Sequence, residues 1–284
     1  MEHSLKEKNI SVYNNTLYNN FQYNNKYRGN YFRGGRNRGR NIYHNGYRNE
    51  SNYFPENIYP FNPKYNHQFN NSYNSYMQNN SKNRMKKYIS MAYPHLIDIN
   101  TKNSNILKEI NTDCRFFIIK SFTEEDIHKS IKYGVWSSSA KGNKTLSEAF
   151  KNTKEKDSFV YLFFSCNNSG RYVGVAKMKS DCDFNKKFEF WTQDNKWMGL
   201  FDVEWIFIKD VPMKEFKNII ISMNYGVIKP ILYAQNTQEI PYEEAKIMLN
   251  IFEKYENINS ILEQFEYYDI RQNNYELNKQ MQQK

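Results

Sequence analysis

From about Ile106 to Tyr268 short, wholly apolar runs alternate with stretches in which apolar residues recur every three or four positions, the pattern of a mixed α/β domain. Phe116 to Lys120 reads as a strand. Thr123 then offers a helix cap, and Glu124, Glu125 and Asp126 suit the positive end of a helix dipole, so Ile127 and Ile131 should face the core. Thr145-Leu146-Ser147-Glu148 has capping-box spacing and predicts a second helix start ahead of Ala149 and Phe150. The run Phe159 to Cys166 predicts a buried strand, with Arg171 to Lys179 as its hairpin partner across the turn residues Asn167, Asn168, Ser169 and Gly170. Further strands are expected near Lys187 to Trp191, Phe201 to Ile208 and Phe216 to Met223. After Pro241, Ala245, Met248, Leu249 and Phe252 fall at helical spacing, and Ile261, Leu262 and Phe265 open a shorter helix.

Composition divides the chain unevenly. Met1 to about Lys87 is rich in Asn and Tyr and poor in Leu, Ile and Val, so it lacks the aliphatic surface needed to offset its conformational entropy. The expected organisation is a disordered tail over 1–105, a folded domain over 106–270 and a polar tail over 271–284. The formal net charge of +10 and the isoelectric point near 9.2 favour an anionic partner, nucleic acid first. Within the tail, Tyr27 to Arg40 interleaves Arg, Gly and aromatics in the manner of RGG segments that contact single-stranded RNA. A solvated linker is the plainer reading of the Asn tracts, and a condensate-forming segment is another. The cluster Lys82 to Lys87 has the composition of a nuclear signal.

Several classes drop out. Cys114, Cys166 and Cys182 form no C-x-x-C pair, which fits a reducing compartment and argues against zinc. No spacing suggests a metal site, a Gly-rich phosphate loop or a nucleophile with its base, so no catalytic residue and no cofactor is expected. The first residues have no apolar signal core, and no stretch approaches a membrane span, so a soluble intracellular chain is expected.

Three tryptophans carry the strongest chemical signal. Trp136 follows Tyr133-Gly134-Val135, and Trp191 and Trp197 bracket Thr192, Gln193, Asp194, Asn195 and Lys196, a segment too polar for a core strand. A polar loop that carries two indoles presents them to something, and a cage for a flat base is the reading they support. Trp205 belongs with the core strand instead, and His128, mid-helix with no nucleophile nearby, reads as structural.

The segment Arg115 to Trp136 closely resembles the opening of YTH domains, readers of N6-methyladenosine in RNA. Val160 to Ser165, Gly174 to Met178, Phe201 to Pro212 and Asn236 to Pro241 are similar to later blocks of that family, in order. The Trp191–Trp197 loop and the position behind a long tail look like the cytoplasmic YTHDF type. The resemblance implies a PUA-like fold, a curved, barrel-like sheet of about six strands with surrounding helices. It also implies that Trp136, Trp191 and Trp197 enclose the methylated base, two flanking it and one closing on the methyl group. Asn167, Asp126 and the backbone of Ser137 and Phe122 would then read the base edge, and Lys120, Ser121 and Asn236 would hold the RNA backbone. This sequence departs from the pattern in a loop to Trp197 one residue longer, and in Thr145, Gln235 and Asn236 where the family tends to carry two Arg and an Asp. Lys141, Lys144 and Arg171 are candidates to compensate.

The implied function is that of a monomeric domain binding methylated mRNA without acting on it chemically, to control translation or decay. Translation or decay machinery would be partners of the tail, in the cytoplasm or its RNA granules, with nuclear entry also open and no membrane involved. Two other classes stand beside it: a general single-stranded RNA binder or condensate scaffold, and a methyl-lysine reader with Asp194 at the lip of the cage.

Overall fold

The computed structural model describes residues 82–282 except 103–104, 194–195, 223–225 and 257–258. The expected tail up to residue 81, with its RGG-like segment, lies outside the described residues.

Eight strands form a mixed sheet and a small ribbon. They are β1 (Arg115–Ser121), β2 (Val135–Trp136), β3 (Val160–Cys166), β4 (Arg171–Met178), β5 (Phe201–Pro212), β6 (Ile220–Ser222), β7 (Ile228–Pro230) and β8 (Glu239–Ile240). The six-stranded sheet is curled and runs β2-β5-β4-β3-β1-β8, and β6 pairs with β7 apart from it. Only β1 and β3 run parallel; the β2–β5, β5–β4, β4–β3 and β1–β8 pairs are antiparallel. Both faces of the sheet are covered, which is why Val160 to Cys166 could be apolar without alternation: every residue of β3 is buried.

Side-chain alternation along β1 sorts the two cores. Phe117 and Ile119 point to one face, under α4 (Glu124–Tyr133) and α5 (Ala140–Lys154), where Ile127, Ile131, Leu146 and Ala149 meet them. Phe116 and Ile118 point to the other, under α6 (Tyr242–Lys254), with Ala245, Met248, Leu249 and Phe252. Thr123 caps α4 as its sequence predicts, its side chain accepting the Asp126 N–H. The turn after β3 places Asn168 and Gly170 at φ of 61° and 68°, conformations that Asn and Gly tolerate best.

Four local expectations fail, each for a visible reason. Helix α5 starts at Ala140, not near Thr145, because the Ser139 hydroxyl already accepts the Gly142 N–H; Thr145 sits inside the helix and donates to the Lys141 carbonyl. Residues 187–191 form no strand: Phe188 and Phe190 pack around Tyr133 and Trp191 instead of pairing with a neighbour. The expected strand from Phe216 contracts to β6, after a 3-10 turn over Met213–Phe216. The polar C-terminal segment is the continuation of an 18-residue helix, α7 (Phe265–Gln282), in which buried Gln272 donates to the Tyr133 hydroxyl.

The boundary at residue 105 is corrected as well. Helix α1 (82–92), a 3-10 turn at Pro94–Leu96 and the short helix α2 (Ile99–Lys102) precede α3 (Ile106–Glu109), and they bury Tyr88, Ile89, Tyr93, Leu96 and Ile99 in the first core. Aromatic rings supply much of the buried surface that a count of aliphatics misses. Their hydroxyls are satisfied too: Tyr88 and Tyr93 donate to Asp269 Oδ2 at 2.6 and 2.7 Å, and Arg84 makes a two-point ion pair with Glu266.

Candidate nucleic-acid interface

The end of β1, the start of α4, the end of β2 and the loop before β5 converge on one cavity. It is lined by Lys120, Ser121, Phe122, Asp126, Trp136, Ser137, Ser138, Trp191, Trp197 and Asn236 and has about 300 Å³ of free space, open to solvent. All three predicted cage tryptophans are there.

Trp136 and Trp191 make a rigid corner. Their ring centroids are 5.4 Å apart with planes at 72°, so no base fits between them; a flat ligand must stack on one and turn an edge toward the other. Each is backed from the core side, Trp136 by Phe164 at 5.0 Å and Trp191 by Phe188 at 4.8 Å, and both are 6% exposed. Trp197 stands apart from this corner, only partly buried, against Phe122 at 5.5 Å. The indole N–H groups of Trp136 and Trp191 are buried without a partner, but so is that of Trp205, which packs on Phe164 in the core and does not line the cavity. An unpaired indole nitrogen alone therefore does not mark the site.

Hydrogen bonds fix the corner. Asp126 Oδ1 accepts the Thr192 N–H at 2.9 Å, and its Oδ2 accepts the hydroxyls of Thr192 and Thr123, each at 2.8 Å, which ties the residue after Trp191 to the first turn of α4. Asn143, fully buried in α5, accepts the Ser138 N–H at 2.8 Å and donates to the Met198 carbonyl at 2.7 Å. It thereby joins the segment after Trp136 to the residue after Trp197. Close approach makes this possible: a Cβ on Gly142 would lie 2.4 Å from Ser138 Oγ, and one on Gly199, at φ of 92°, would lie 2.8 Å from Asn143 Nδ2. Asn143 and Thr192 escape the sequence reading because nothing in their local context marks them; their roles arise from contacts across 55 and 66 residues.

The polar residues expected to meet RNA mostly hold one another. Asn236 accepts the Lys120 N–H at 2.9 Å and donates to Ser138 Oγ at 3.1 Å, bridging β1 to the cage strand. The Ser121 hydroxyl donates to the Thr123 carbonyl at 2.8 Å. Burial lowers the pKa of Lys120 from the usual lysine value, and its side chain lies at the cavity. Ser137 is buried and Phe122 half-exposed at the mouth. Asn167 is exposed in the turn before Gly170, its N–H donates to the carbonyl of cavity-lining Ser121 at 3.0 Å, and it is not itself part of the cavity wall. Arg171 is engaged elsewhere, with Glu124 and with Asp210 at 3.0 Å, and so does not replace the missing arginines. Asp194 lies outside the described residues.

The family model YTH, described as a YT521-B-like domain, matches residues 114–253. The chain belongs to the YTH family. It is 41% identical over 179 residues to the YTH domain-containing protein ECT3 of Arabidopsis thaliana, covering 62% of this chain and 36% of that protein. To the YTH domain-containing family protein 1 of Mus musculus it is 47% identical over 158 residues, or 56% of this chain and 28% of that protein. The chain thus spans only about a third of the length of these curated relatives. Among solved structures, the Pho92 YTH domain in complex with m6A shares 38% identity and a TM-score of 0.50 over 54% of this chain and 94% of that one. Membership places the cavity in a family of RNA-binding reader domains.

Proposed function

We propose that this protein binds N6-methyladenosine in single-stranded RNA, with the base stacked in the corner of Trp136 and Trp191 and Trp197 as the third wall. The observation that carries the reading is the perpendicular pair of buried indoles open on one side to a cavity, in a YTH domain 38% identical to one solved in complex with m6A. Stacking contributes about 1–3 kcal/mol per base with or without the mark, and a buried methyl adds roughly 0.8 kcal/mol, so the mark itself shifts affinity about fourfold. Methylation also weakens pairing, which leaves unpaired bases as the natural target. The basic residues Lys120, Lys141 and Lys144 supply phosphate attraction. Control of mRNA translation or stability in the cytoplasm, with the tail recruiting the responsible machinery and the domain acting as a monomer, completes the reading.

A fluorescence titration of the full chain against a short RNA with and without one N6-methyladenosine tests it. The expected result is a clear preference for the methylated strand. Equal affinity for both strands would leave a general single-stranded RNA binder.

A further inference from the structure

Two of the three cage walls are buried in the core, and the third, Trp197, is only partly buried against its edge. Trp136 and Trp191 are wedged against Phe164 and Phe188, whereas Trp197 leans on Phe122, which is itself 51% exposed. A lysine sits on both outer rings: the Lys196 ammonium is 3.8 Å from the centroid of Phe122 and 4.8 Å from that of Trp197. Both distances lie well within the range of cation–π attraction.

We infer that Lys196 is the positioning residue of the third wall. Its ammonium clamps the Trp197 ring to Phe122 and holds the indole at the mouth, so a base entering the cavity meets a wall already in place. Without the cation, these two incompletely buried rim aromatics would sample other rotamers, and binding would have to order them at the expense of affinity. The placement has a second consequence. A nucleotide whose base enters the cavity leaves its phosphates at the mouth, beside the same ammonium, so the clamp and the attraction for the backbone come from one charge. This inference rests on the base-reading function proposed above, but the clamp exists without RNA and is measurable without it.

The test uses the full chain labelled with 5-fluorotryptophan, whose four tryptophans give four ¹⁹F lines, with Trp197 assigned by Trp197→Phe. Lys196→Met keeps the length and apolar stem and removes the charge; Lys196→Arg restores a cation that stacks on aromatic faces. The expected result in free protein is a shifted and broadened Trp197 line in Lys196→Met, an unchanged Trp205 line, and recovery in Lys196→Arg. With RNA, the ratio of methylated to unmethylated affinity should fall about two- to threefold in Lys196→Met and return in Lys196→Arg. An unmoved Trp197 line in Lys196→Met overturns the clamp whatever the RNA does. A moved line with an unchanged ratio in a methyl-selective protein overturns its role in recognition. A moved line in a protein that ignores the methyl group upholds the clamp and rejects the reading of the base.

Discussion

Helix α4 joins two regions that treat a buried carboxylate in opposite ways. On the cage side Asp126 accepts only neutral donors, the Thr192 N–H and two threonine hydroxyls, and thereby holds a loop. On the far side Asp269 accepts two tyrosine hydroxyls and the Lys132 ammonium at 2.7 Å, with His128 Nε2 at 3.2 Å. Burial opposes the charge of Asp269, yet His128 and Lys132 hold its pKa below the ordinary carboxylate range. The first region is a few hydrogen bonds around half-open aromatics; the second is a closed ionic cluster that fastens helix 82–92 and α7 to the domain. Paired buried charge marks the scaffold, whereas neutral hydrogen bonds hold the aromatic corner that opens onto the cavity.

The largest predicted effect comes from breaking the ionic side. Asp269→Ala leaves half-buried Lys132 without its counter-ion and the buried Tyr88 and Tyr93 hydroxyls without their acceptor, and should destabilise the domain by about 3–5 kcal/mol in urea unfolding. Next is the cage: Trp136→Ala should weaken methylated-RNA binding on the order of 10- to 100-fold, the loss of about 1–3 kcal/mol of stacking, as read by titration. A smaller effect follows from Asp126→Asn, which removes one acceptor from the Thr192 loop. It should lower that affinity a few-fold while unfolding stability changes by no more than about 1 kcal/mol.

Acidity sharpens the contrast further. Burial lowers the pKa of His128, with Lys132 and Lys129 nearby also opposing its charge. The unfolded chain therefore takes up that proton first, and stability is full above about pH 6.5 and falls as the pH drops below it. Asp269, also depressed, adds a loss only as the pH falls below about 4 toward its folded value. A thermal-melt series should show a decline between pH 7 and 5 that His128→Phe flattens. Smallest is Arg84→Ala: it removes an exposed ion pair with Glu266 and should cost under about 1 kcal/mol.

Strands β1, β3, β4 and β5 and helices α4 and α6 were legible because each buries a repeating face, and periodicity reports burial directly. Residues 82–102 and the part of α7 beyond residue 270 were not, since they are held by specific polar contacts to Asp269 and Tyr133 and have little aliphatic pattern. The site divides in the same way. The tryptophans announce themselves by their cost in a polar loop, whereas Asn143 and Thr192, which hold them in place, act through partners far away in the chain.

One titration tests the division itself: the affinity ratio for a short RNA with and without one N6-methyladenosine, measured on the unaltered chain, on Trp136→Ala and on Tyr93→Phe, which loosens the ionic side by a single hydroxyl. The account predicts a ratio of about four for the unaltered chain and for Tyr93→Phe, and a ratio near one for Trp136→Ala. A ratio that survives Trp136→Ala, or that disappears in Tyr93→Phe, would contradict it.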